Sequence, residues 1–181
     1  EMGYVFNQAP HLTYYDNGKL IRNFDSLNFK FENYWKLTAS IETFHPVSRK
    51  VVFFTHAQAA MNFKQKASLV NDFYIGGLNK TFSNQVLFTG LNENSIYSSS
   101  AMVMQIGWRY AVYPSLYITA KGNAMYYNFI NSNRNTTPAR FITGYGISLG
   151  YNFVLGPLEI SAMYCDQSKK LLPYINLGIP F

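Results

Sequence analysis

From Phe141 to Phe153 the sequence alternates without a break. Odd positions carry Phe141, Thr143, Tyr145, Ile147, Leu149, Tyr151 and Phe153, and even positions carry Ile142, Gly144, Gly146, Ser148, Gly150 and Asn152. A period of two puts these sets on opposite faces of an extended strand, one bulky and aromatic, the other small and polar. Length is as telling as period. Strands of soluble domains cluster near five or six residues, whereas a strand crossing a bilayer at a tilt needs about 9–11.

The same signature recurs along the chain. Residues 101–112 set Met102, Met104, Ile106, Trp108, Tyr110 and Val112 against Val103, Gln105, Gly107 and Arg109. Residues 116–128 set Leu116, Ile118, Ala120, Gly122, Ala124 and Tyr126 against Thr119, Lys121 and Asn123. Residues 51–63 set Val51, Phe53, Ala57, Ala59, Met61 and Phe63 against His56, Gln58 and Asn62. In 27–38, Leu27, Phe29, Phe31, Trp35 and Leu37 oppose Asn28, Lys30, Glu32, Lys36 and Thr38. Two shorter runs close the chain: 158–165 (Leu158, Ile160, Ala162, Tyr164) and 172–181 (Ile175, Leu177, Ile179, Phe181). None fits a helical period as well. With a strand expected over 73–87 and one in 3–15, the count is about eight or nine, a number near that of a small closed barrel.

Composition supports two-faced strands. Charged residues make up 13% and aromatics 18%, yet mean hydropathy is −0.09. Apolar residues must therefore be interleaved with polar ones. No window holds the 18 or so uninterrupted apolar residues of a membrane helix, which excludes a helical membrane protein. The net charge of +6 comes from scattered Lys and Arg without a basic cluster, so no nucleic-acid partner is expected. The opening Glu1-Met2-Gly3-Tyr4 has no basic start followed by an apolar run. An exported chain of this kind is expected to have lost its leader or to continue upstream. The single Cys165 leaves the compartment open.

Connections alternate in length. Tyr113-Pro114-Ser115 and Leu155-Gly156-Pro157 are tight turns, while 129–139 and Asp166-Gln167-Ser168-Lys169-Lys170 are polar loops. Short periplasmic turns and long external loops are the habit of transmembrane barrels. A soluble, lipocalin-like barrel also alternates, with its apolar side inward. Long strands, bulky faces ending in Tyr, Trp and Phe, and a Gly/Ser/Asn/Lys opposite face favour lipid on the outside. The expected fold is thus an all-β, antiparallel transmembrane barrel in the outer membrane of a Gram-negative bacterium. Residues 27–181 supply its strands, and 1–26 form a poorly assigned segment with room for one strand.

Several short motifs bear a family resemblance. Gly156-Pro157-Leu158-Glu159-Ile160-Ser161-Ala162, then Ile175-Asn176-Leu177-Gly178-Ile179-Pro180-Phe181, resembles the end of the bacterial surface-antigen barrels of the outer-membrane insertase and two-partner-secretion superfamily. Phe73-Tyr74-Ile75-Gly76-Gly77-Leu78 is similar to the element before that superfamily's long lumenal loop. Asn84-Gln85-Val86-Leu87-Phe88-Thr89-Gly90-Leu91 is most similar to barrels fused to patatin-like phospholipases. The insertases carry a Val-Arg-Gly-aromatic motif here, whereas Phe88-Thr89-Gly90-Leu91 has no arginine and does not imply insertase activity. The resemblance implies about 16 strands in the whole barrel, so this chain would be its C-terminal half. Missing N-terminal strands or a second chain would close it. It also implies an outer-membrane lipid setting, and Ile175, Leu177, Ile179 and Phe181 as the signal read by the barrel-assembly machinery.

Candidate sites are few. There is no Gly-x-Ser-x-Gly elbow, so a patatin-type lipase domain, if present, lies upstream and this chain is not expected to be an enzyme. His11, His45 and His56 lack metal-ligand spacing, and no cofactor is expected. Lys30, Glu32, Lys36, Arg109, Lys121 and Glu159 fall on the face opposite the aromatics, either as ordinary lumenal polarity or as a lining that holds a loop or selects what passes. The loop at 79–98 is long, and Phe88, Gly90 and Leu91 are apolar for exposed residues. Folding into the lumen would explain them; a plain external loop is the alternative. Three functions follow: an anchor for a patatin-like domain that it presents or exports, a small structural or adhesive barrel, or an accessory subunit of a larger complex.

Overall fold

The computed structural model describes residues 1–6, 14–16, 19–21, 33–63, 71–80, 82–130, 139–154 and 156–178. Leu27, Phe29, Lys30, Phe31, Glu32, Ile179, Phe181 and the polar stretch 131–138 lie outside the described residues.

The architecture is one antiparallel sheet of eight strands. In spatial order these are β1 (Met2–Val5), β4 (Tyr34–Pro46), β5 (Val51–Phe63), β9 (Ser100–Tyr113), β10 (Leu116–Tyr127), β11 (Arg140–Phe153), β12 (Gly156–Cys165) and β13 (Leu171–Leu177). The hairpin β2 (Tyr14–Asp16) and β3 (Lys19–Ile21) pairs separately. Three short strands, β6 (Phe73–Ile75), β7 (Gln85–Val86) and β8 (Ile96–Ser98), form a third sheet, with β6–β7 parallel and β6–β8 antiparallel. Among the described residues β1 and β13 are not paired with each other, so the large sheet is open at two edges.

The long strands form where bulky and small residues alternate, and β9 and β11 each reach 14 residues. Their registers run unbroken from β5 to β13, apart from a bulge at Leu116/Tyr117 just after the two-residue Pro114-Ser115 turn. Trp108 and Ala120, then Ile147 and Ala162, lie in one cross-strand row of the bulky face. Met102, Met104, Ile106, Trp108, Tyr145, Ile147 and Leu149 are exposed there, Ile147 at 57%. The apolar core sits on the other face, where the segment 71–98 folds back over the sheet. It joins Phe73, Ile75, Val86, Phe88 and Leu91 to Ala60, Ala101, Val103, Met125, Ile142 and Cys165. The turns at 47–50 and 114–115 and the short connection after Phe153 lie at one end of the strands, and the longer connections lie at the other.

Two strand expectations need correction. No sheet strand runs over 73–87; the chain makes β6, then turns at Gly76 and Gly77 and resumes in β7. Gly76 and Gly77 have φ +126° and +85°, and a Cβ on Gly76 would collide with the Asn92 carbonyl. Both residues end extended backbone in a conformation that L side chains resist. The strand expected over 27–38 is described from Tyr34 and continues to Pro46. Its outer positions beyond Leu37 are Ala39, Ile41 and Thr43, opposite Ala59, Ala57 and Thr55. Apart from Ile41 these are small residues, which blur the bulky–small contrast though the period continues.

Candidate functional site

The residues Phe88-Thr89-Gly90-Leu91 are seated on the small face of the sheet, where β9 to β12 form the floor. Phe88 and Thr89 are 0% and 1% exposed. The floor admits backbone because it lacks side chains. A Cβ on Gly144 would collide with the Thr89 carbonyl oxygen, and one on Gly146 would lie 2.6 Å from Thr89 Cγ2. Gly90 has φ +107°, and a Cβ there would lie 2.5 Å from the Tyr164 carbonyl oxygen and 3.0 Å from Cys165 Cβ. Glycine inside a strand marks close approach of another backbone, and here that approach comes from within the chain.

Side chains fasten what the glycines admit. Asn123, with its carboxamide oriented so that donors meet acceptors, accepts from Thr89 N (3.0 Å) and donates to Thr89 O (3.2 Å) and Gly144 O (2.8 Å). Gln105 Nε2 donates to Thr89 Oγ1 at 2.9 Å. One amide thus pairs both polar backbone groups of a buried residue, which would otherwise cost about 1–3 kcal/mol each. On β5, Gln58 Nε2 donates to Gln85 O (3.0 Å) and its Oε1 accepts from Leu87 N (3.4 Å), while Asn62 Nδ2 donates to Asn71 O (2.8 Å). Lys36 Nζ donates to Asn84 Oδ1, and the ammonium stands 5.5 Å from the Phe73 ring centroid. Tyr174 OH donates to Glu93 Oε1 at 2.7 Å, tying the segment to β13.

The charged lining residues take distinct positions. Lys121 and Glu159 form an ion pair at 3.6 Å. It lies beside the hydroxyl row Thr119, Ser148 and Ser161, in which Ser161 Oγ donates to Ser148 Oγ at 2.8 Å. Arg109 stands in the same row, its Nε donating to Thr119 Oγ1 (3.3 Å) and its guanidinium 4.6 Å from the Tyr117 ring centroid. The side-chain hydrogen bonds to Thr89 come from neutral residues, Gln105 and Asn123. Ile175 and Leu177 are exposed on the bulky side of β13.

Among the described residues no group of three His, Cys, Asp or Glu is placed to hold a metal ion. Sequence reasoning named Phe88–Leu91 but not their receptor. Gly144 and Gly146, at alternate positions of one strand, were the available signal, whereas Asn123 and Gln105 looked like any polar lining.

An eight-stranded antiparallel sheet with a loop seated on its small face is joined by one further finding. The OMP85 superfamily model matches residues 3–181. The chain belongs to the OMP85 superfamily. Members of this superfamily are outer-membrane barrels of the insertase and secretion kind, and the eight strands fit that architecture without closing within this chain. No curated protein matches the chain. Gly76-Gly77 opens the connection that runs on to β8, and Phe88–Leu91 is the part of it lying against the sheet.

Proposed function

We propose that this chain is the C-terminal half of an outer-membrane OMP85 barrel that anchors, and presents or exports, an attached patatin-like domain. The bulky face lies in outer-membrane lipid, the small face looks onto the lumen, and the last strand is read by the barrel-assembly machinery. The chain itself carries no catalytic step.

The supporting observation is the neutral seat of Thr89. Gln105, Asn123, Gly144 and Gly146 surround it, all uncharged, and an arginine there would be desolvated without a carboxylate partner. The seat suits a fixed lumenal segment better than the arginine-bearing loop of an insertase. The resemblance of Asn84–Leu91 to patatin-fused barrels points the same way. A half barrel in lipid would leave two strand edges with unsatisfied backbone groups, each costing several kcal/mol. Those edges also favour a second reading, in which a partner chain supplies the missing strands. An antibody against segment 79–98, applied to outer membranes labelled with a fluorophosphonate serine-hydrolase probe, separates the two. A labelled polypeptide much longer than this chain supports the anchor; an unlabelled polypeptide of this chain's length that co-purifies with a second β-rich chain supports the subunit and overturns the anchor.

A further inference from the structure

At the short-turn edge of the small face, away from the seated loop, lies a polar basin of about 430 Å³. Arg109, Tyr117, Asn152, Glu159 and Asn176 line it, from five consecutive strands. Its geometry points to a binding site for a carboxylate, held by the Arg109 guanidinium.

The arginine is fixed before any ligand arrives. Its Nε is occupied by Thr119 Oγ1 at 3.3 Å, and one face of its plane is held 4.6 Å from the Tyr117 ring centroid. Tyr117 is itself placed by an absence of side chain. It pairs across the sheet with Gly150, where any Cβ would collide with the ring. A stacked guanidinium with its Nε engaged presents the remaining nitrogens as a planar fork, the geometry that matches an oxyanion with two parallel hydrogen bonds. Its rotamer entropy is already spent, so less is lost on binding.

Among the described residues the fork has no anion to satisfy it. Among the described residues no carboxylate lies within ion-pairing distance of Arg109, and the nearby Glu159 is committed to Lys121 at 3.6 Å. Arg109, Lys121 and Glu159 together leave one net positive charge. That balance matches a monoanionic carboxylate, whereas a phosphate dianion would bring a second negative charge that nothing in the basin offsets, beside Glu159. Asn152 and Asn176 offer amide donors at the rim, and Pro157 and Tyr113 offer apolar surface for the body of the ligand. The carboxylate belongs either to a small organic acid or to an acidic side chain of an extended polypeptide entering from the short-turn side.

The experiment uses the full-length protein in detergent micelles and 19F NMR. Trifluoroacetate is the small-acid probe, a fluorine-labelled capped Gly-Asp-Gly peptide the polypeptide probe, and fluorophosphate the dianion control. Saturable broadening of a carboxylate probe is expected with the unmodified protein, background broadening with Arg109→Gln, and binding weaker by about fivefold or more with Arg109→Lys, which keeps the charge but loses the fork. Stronger binding of trifluoroacetate identifies a small acid, and stronger binding of the peptide identifies a polypeptide segment. No saturable broadening by either carboxylate with the unmodified protein overturns the site, whatever the variants do. So does equal broadening in Arg109→Lys, which would reduce it to unspecific charge, or preference for the dianion.

Discussion

Strands β5 and β11 present the same face to the same folded-back segment, yet hold it in opposite ways. On β11 the inward positions are Gly144, Gly146, Ser148 and Gly150, and the segment's backbone descends onto the strand itself. On β5 they are Phe54, His56, Gln58, Ala60 and Asn62, and the strand reaches up with amides to Gln85, Leu87 and Asn71. Close approach of two backbones tolerates almost no added volume, because the colliding atoms cannot rotate away. A bridging amide is a single adjustable contact. One wall is thus a mould and the other a set of struts, and substitutions should hurt the first far more.

The largest effect is expected at the mould. Gly144→Val drives side-chain atoms into the Thr89 carbonyl and should destabilise the seated segment by about 3 kcal/mol or more. Limited proteolysis of the folded full-length barrel should then cut within 79–98, where the unmodified protein resists. Asn123→Ala comes next. It leaves both backbone polar groups of buried Thr89 unpaired, at about 2–3 kcal/mol, and hydrogen exchange of the Thr89 amide should rise about a hundredfold. A strut should matter less: Gln58→Leu keeps the volume, loses two bonds from the half-buried β5 side, and should speed exchange at Leu87 by about tenfold or less. The smallest change is expected from Tyr174→Phe, whose bond to Glu93 is exposed; exchange in 91–95 should rise by about threefold. A Gln58→Leu effect equal to that of Gly144→Val would erase the distinction between the two walls.

The sequence carried the long strands well because their period of two is enforced locally, residue by residue, by the need to keep one face bulky and the other small. Phe141 to Phe153 shows this at full strength, and the observed strand Arg140–Phe153 follows it closely. Where the outer face turns to Ala39 and Thr43, the period persists without contrast and the strand's extent was misjudged. The run 73–87 failed for a different reason. Its aromatic and β-branched residues favour extension, but Gly76 and Gly77 reverse the chain, and the pairing that decides the outcome comes from Ile96–Ser98, distant in sequence. The seat of Thr89 was legible only in part. Strand glycines announce that something approaches closely, but which segment approaches is fixed by long-range packing of Phe88 and Leu91.

The proposed function puts the bulky side chains of the sheet against lipid and the small ones away from it. Single nitroxide labels at 141, 145, 147, 148, 149, 151 and 152 in the full-length protein, which spare the strand's tightly packed glycines, report on that directly through collision with oxygen and with a water-soluble nickel complex after reconstitution in bilayers. Oxygen accessibility should peak at 141, 145, 147, 149 and 151, with labels at 148 and 152 shielded from the lipid phase. Nickel accessibility peaking at 145, 147 and 149 instead would turn the sheet inside out and contradict the assignment of its faces.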